Sequence, residues 1–71
     1  MYKKYNVILK SAGDNELQFI KIARETLGIS LTGAKLLTVT VPKIIKKDIS
    51  KSEADKIKAE FESIGAVAEI G

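Results

Sequence analysis

Between Glu16 and Leu27 the apolar residues recur with a helical period but over too wide an arc. Leu17, Phe19, Ile20, Ile22, Ala23 and Leu27 are apolar. At about 100° per residue they cover roughly 220° of the helix surface. One amphipathic face needs only a little over ~100°. Phe19, Ile22, Ala23 and Leu27 lie together and are the candidate core face. Leu17 and Ile20 lie at the other margin, beside Lys21 and Arg24. The segment is therefore a helix with more apolar surface than one core contact uses.

Local chemistry sets its limits. Gly13 in Ser11-Ala12-Gly13-Asp14-Asn15 allows a turn, and Asp14 or Asn15 can cap the helix start. Gly28 ends the helix, and Ser30 caps a second, shorter one from Leu31 to about Thr38. Leu31, Ala34 and Leu37 recur every three to four residues and are read as its buried stripe. Gly33 inside a helix costs about 1 kcal/mol against alanine, which points to a close approach of the two helices. Thr38 to Val41 is the exit from the second helix, stopped by Pro42.

The rest of the chain reads as support for this pair. Tyr5 to Lys10 is apolar and β-branched, a mostly buried strand. Lys43 to Ile49 is an apolar pair bounded by lysines, which suits an edge strand because lysines discourage edge-to-edge pairing. Ser50 and Glu53 form a capping box for a third helix reaching Ile64. Its stripe is narrow: Ala54, Ile57, Phe61 and Ile64. Gly65 closes it, and Ala66 to Ile70 is the last strand. The order is β-α-α-β-α-β. Three strands in so short a chain leave one sheet face for the helices, so the expected fold is α+β. Three helices pack on one face of a small, largely antiparallel three-stranded sheet. Residues 1–71 form one domain.

Composition narrows the chemistry. The 71 residues contain no cysteine and no histidine, which excludes disulfides, thiolate catalysis and Cys/His metal sites. No phosphate loop or nucleophile elbow occurs. Glu53 with Asp55, and Glu60 with Glu62, are carboxylate pairs on the exposed side of the third helix and read as solvated charge. We expect no enzyme and no cofactor. No apolar run is long enough to span a membrane. The net charge of +3 is mild, and the aromatics Tyr2, Tyr5, Phe19 and Phe61 sit in or beside apolar runs. That composition argues against direct nucleic-acid binding. Such binding would have to use Lys3, Lys4, Lys43, Lys46 and Lys47. The spare apolar surface also admits self-association as a two-fold dimer. The remaining reading is docking: Leu17 and Ile20 beside Lys21 and Arg24, joined by Leu31 and Lys35. Such a mixed patch suits a partner helix with an apolar stripe and acidic flanks.

The chain resembles the C-terminal domain of the bacterial large-ribosomal-subunit stalk protein. The resemblance runs ungapped from about Tyr5 to Ile70. It is carried by YNVILKSAG, IKIAR, LGISLTGAK, the Val41-Pro42 step and SKSEADKIKAEFESIGAVAEI. It implies the same β-α-α-β-α-β fold. It also implies a cytoplasmic, non-enzymatic module of the ribosomal stalk that docks translational GTPases (elongation, initiation and release factors). The family's docking surface is its first two helices, and Leu17, Ile20, Lys21, Arg24, Leu31 and Lys35 match it. Glu16, Gln18, Ser30, Thr32 and Gly33 depart from the family pattern. Glu16 stands where the family usually carries lysine, which weakens attraction to an acidic partner. The family's N-terminal dimerisation domain and Ala/Gly-rich hinge do not lie within these residues. A free-standing paralogue, using the same helix pair as an adaptor or regulator for another protein, is the alternative reading.

Overall fold

The computed structural model describes residues 3–71; Tyr2 lies outside them. The elements are β1 (Tyr5–Ser11), α1 (Glu16–Leu27), α2 (Leu31–Thr40), β2 (Lys43–Ile49), α3 (Lys51–Glu62) and β3 (Val67–Ile70). The sheet order is β2-β1-β3, and both pairings are antiparallel. This is the α+β architecture expected from the sequence.

Side chains alternate across a strand, and β1 uses this to divide the molecule. Val7 and Leu9 face the helices and are buried, as is Ala68 of β3. On the opposite face Lys10 Nζ lies 3.7 Å from Glu69 Oε2. α3 lies against β3 and β1, α1 leans on α3, and the main packing partner of α2 is α1. Phe19 of α1 and Phe61 of α3 meet at the centre, with ring centroids 5.6 Å apart and planes tilted by 47°. A tilted pair at this distance gains about 0.5–1.5 kcal/mol beyond its buried area.

The capping chemistry sets most boundaries. Asn15 Oδ1 accepts from the Gln18 N–H at 3.4 Å and starts α1. Gly28, at φ 66°, ends it in the left-handed conformation while its N–H donates to the Arg24 carbonyl. Ser30 Oγ accepts from the Gly33 N–H at 3.1 Å, and Ser50 Oγ from the Glu53 N–H at 3.1 Å. Among the described residues the capping box makes only this forward bond. Glu53 instead lines a depression shared with Lys46 and Lys56.

Several expectations change. α2 runs on to Thr40, and within it the Thr38 and Thr40 hydroxyls donate to the Lys35 and Leu36 carbonyls at 2.7 and 3.0 Å. These bonds settle threonine hydroxyls within a helix. α3 stops at Glu62, and the Ile64 N–H donates to the Phe61 carbonyl in a tighter turn. Leu31 is not part of the buried stripe of α2; it is exposed, and Ala34 and Leu37 carry that stripe. In α1 only Phe19 and Ala23 are buried, while Ile22 and Leu27 pack half-buried at the margin. Gly33 does not mark a close helix approach: a Cβ there would meet Ser30 Oγ at 3.4 Å and Ile29 Cβ at 3.6 Å, both in the linker.

Candidate functional site

On a helix, positions three and four apart share a face. Leu17, Ile20, Lys21 and Arg24 follow that spacing, and α1 brings all four into one shallow depression of about 500 Å³. Leu17 is 82% exposed. Ile20 is half-buried, one side against the core and the other open to the depression. Lys21 and Arg24 are exposed. The surplus arc seen in the sequence is therefore divided: Phe19 and Ala23 go to the core, and Leu17 remains outside.

Leu31 and Lys35 are also exposed, on α2, but neither lines this depression. Three residues that the sequence reading left out do line it: Glu25, Gly28 and Ile29. Ile29 carried a visible sign, an apolar side chain in a three-residue linker whose other two members, Gly28 and Ser30, are capping groups. Glu25 places a negative charge beside the two cations, so the face is cationic on the Lys21 and Arg24 side only.

The cations are free to meet a partner. Among the described residues the ion pairs are Lys10–Glu69 and Lys51–Asp55. Lys21, Arg24 and Lys35 stand outside both. No buried side-chain nitrogen or oxygen among the described residues lacks a hydrogen-bond partner.

The carboxylate pairs of α3 have other roles. Asp55 accepts from Lys51 Nζ at 2.8 and 3.0 Å. That hydrogen bond, with the charge of Asp55, raises the Lys51 ammonium above its ordinary value. Glu60 is not simply solvated charge: its Oε2 accepts from Thr26 Oγ1 at 2.7 Å in a part-buried contact that ties α3 to α1. No group of three or more acidic, histidine or cysteine side chains among the described residues is placed to hold a metal ion. No helix among them is long and apolar enough to cross a membrane.

Fold and surface define a class: a small α+β domain distinguished by an exposed apolar and cationic helix face, not by a cleft of reacting groups. Comparison with known proteins gives the family. The chain matches the ribosomal protein L7/L12 C-terminal domain over residues 5–71 and belongs to that family. It is 46% identical over 67 residues to the large ribosomal subunit protein bL12 of Acholeplasma laidlawii, covering 94% of this chain and 54% of that protein. It is 48% identical over 66 residues to bL12 of Dictyoglomus thermophilum, covering 93% and 53%. For bL12 of Moorella thermoacetica the values are 45% over 67 residues, 94% and 53%. The chain thus spans about half the length of the curated relatives it matches. The family is that of a structural ribosomal protein of the stalk, not of an enzyme.

Proposed function

We propose that this domain is the factor-docking part of a ribosomal stalk protein. It recruits translational GTPases, the elongation, initiation and release factors, through Leu17, Ile20, Lys21 and Arg24 of α1, extended by Leu31 and Lys35 of α2. It acts in the cytoplasm, in association with the ribosome. The observation that carries the reading is Leu17, 82% exposed beside two cations that enter no ion pair among the described residues. Burying a leucine side chain contributes about 1.5–3 kcal/mol, which gives a partner helix its anchor. Lys21 and Arg24 set orientation and association rate by meeting acidic residues on that helix. Glu16 and Glu25 repel the same residues, so a partner's acids must approach from the Lys21 and Arg24 side.

Arg24→Glu tests this. Titration with an elongation factor is expected to show binding weakened by about tenfold or more, since like charges facing each other at an interface cost several kcal/mol. The domain stays folded because Arg24 is exposed, and the thermal midpoint falls by only a few degrees, since an acid in the last turn of α1 costs about 0.3–1 kcal/mol. Equal affinity for both proteins would show that the surface lies elsewhere.

A further inference from the structure

The helices leave one end of β2 uncovered. Lys43 pairs with Leu9 and Lys46 with Val7, and both of those β1 residues are buried under the helices. The two lysines therefore stand on the helix-facing side of the sheet, while Ile44, opposite Ile8, faces away. A bulge between Ile44 and Lys46 leaves Ile45 as the extra residue, half-buried against the core. The main packing partner of α2 is α1, and a groove of about 350 Å³ lies between α2 and this face of β2. Leu37 is buried in it, Leu27 and Ile45 are half-buried, and Leu36 is 56% exposed along its wall.

α2 is short of apolar cover. Its ten residues hold one charge, Lys35, and Leu36 and Val39 stay exposed. A helix apolar on more than one side is ordinarily covered on more than one side. Gly33 also lines the groove. Its φ is not left-handed, and a Cβ there would meet nothing closer than Ser30 Oγ at 3.4 Å. Neither a turn nor a close packing contact calls for glycine, which is a poor helix former. The missing side chain leaves the groove open beside Ile29, another lining residue. The charge is one-sided as well. None of the lining residues is acidic, and Lys43 and Lys46 stand outside both ion pairs found among the described residues. Lys46 also borders the α3 depression, which holds Glu25, Glu53 and Glu60. The positive charge without acidic neighbours is therefore at Lys43.

We propose that this groove seats an amphipathic helix of a protein partner, with a large apolar residue over Leu37 and Ile45 and acidic residues one turn away against Lys43. A segment lying over the face of β2, not along its free edge, finds no strand backbone to pair with. It must satisfy its own backbone hydrogen bonds, which a helix does. Apolar burial then supplies affinity, and Lys43 sets the direction in which the helix lies. A second copy of this chain is a poor occupant, because groove against groove brings Lys43 and Lys46 to the same residues with no acid between them. The site is separate from the α1 face: the two depressions share only Ile29, and neither Leu31 nor Lys35 lines the groove.

The test selects from a displayed library of random peptides about four helical turns long against the full chain. An enriched peptide is then titrated into isotope-labelled protein at physiological salt. Enriched sequences are expected to place a large apolar residue three or four positions from an acid, to become helical when bound, and to shift the amides of residues 36–40 and 43–46. Lys43→Glu should weaken binding by about tenfold or more. Gly33→Glu, which brings bulk and a carboxylate to the groove, should do the same. Arg24→Glu, on the α1 face, should leave binding within about twofold. Lys43 is exposed, so Lys43→Glu keeps the test valid if Gly33→Glu fails to fold. The proposal is overturned if nothing is enriched, if the enriched peptides are basic, or if Lys43→Glu binds as well as wild type. Shifts confined to α1, a peptide that binds extended with new protection along β2, or a chain that dimerises through these amides would overturn it equally.

Discussion

Gly13 presses against Gly65: a Cβ on Gly13 would stand 2.6 Å from the Gly65 carbonyl oxygen. Gly13 has φ 78° and Gly65 φ 88°, so both are in the left-handed region. The loop after β1 and the turn before β3 thus meet backbone to backbone, beside the buried Ala12 and Ala66. Gly13→Ala adds left-handed strain of about 1–2 kcal/mol to overpacking of about 1–3 kcal/mol. A loss of about 2–5 kcal/mol is expected in urea unfolding. Gly65→Ala has open space around its Cβ and should cost only the strain. Equal losses in the two variants would show that the contact contributes nothing.

The division of α1 between core and surface is measurable. Leu17→Ala should leave stability within about 0.5 kcal/mol, as for an exposed position. Phe19→Ala, two residues on and fully buried against Phe61, should cost about 3–5 kcal/mol. A Leu17→Ala loss as large as that at Phe19 would place Leu17 in the core.

Thr26 and Glu60 join α1 to α3 through one hydrogen bond to a carboxylate. Bonds to charged groups contribute about 1.5–3 kcal/mol, discounted here because the pair is only part-buried. A double-mutant cycle with Thr26→Val and Glu60→Ala should give a coupling of about 1 kcal/mol. Coupling indistinguishable from zero would make the contact incidental and leave the helices held by apolar packing alone.

Lys51 and Asp55 form an exposed pair one helical turn apart. Its pH dependence lies on the alkaline side, because the ammonium is raised, chiefly by its hydrogen bond to Asp55. A raised group stabilises fully below its unfolded value of about 10.4, and that contribution is lost as pH rises through the higher folded value. Wild type and Asp55→Asn should therefore differ slightly at neutral pH and converge above this window. A gap that persists there would mean that Asp55 acts by some other route.

Elements bracketed by their own local chemistry were legible in the sequence. α1 lies between Asn15 and Gly28 and β2 between Pro42 and Ser50, and both match the structure to the residue. Leu17 and Phe19 separated correctly because the width of an apolar arc is a property of one helix. What was not legible depends on a second element. Leu31 fits a buried stripe by spacing, yet α2 turns it outward. Glu60 gave no sign of Thr26, which sits 34 positions away. The depression between α2 and β2 is likewise absent from any single segment, since Leu37 and Ile45 line it together only when helix and strand are placed. Asp48 adopts φ 56° without being glycine. Its N–H donates to Asn6 Oδ1 at 3.2 Å, a partner that no local pattern announces.

The first strand in the chain is the middle strand of the sheet. Val7 waits for Ile70 and Tyr5 for Ile49, and Asn6 and Gly71 exchange hydrogen bonds in both directions, at 2.8 and 2.9 Å. β1 therefore has no nearby partner with which to form a hairpin, and the entropic cost of closing long loops comes before any strand pairing is gained. α1 and α2 cannot be supported in stages, so folding should be all-or-none. Excised as a peptide, Glu16 to Lys35 would lose the helix pair along with α3, on which α1 leans. The exposed face of α1 belongs to the loop that closes between Asn6 and Gly71, not to the twenty residues that display it.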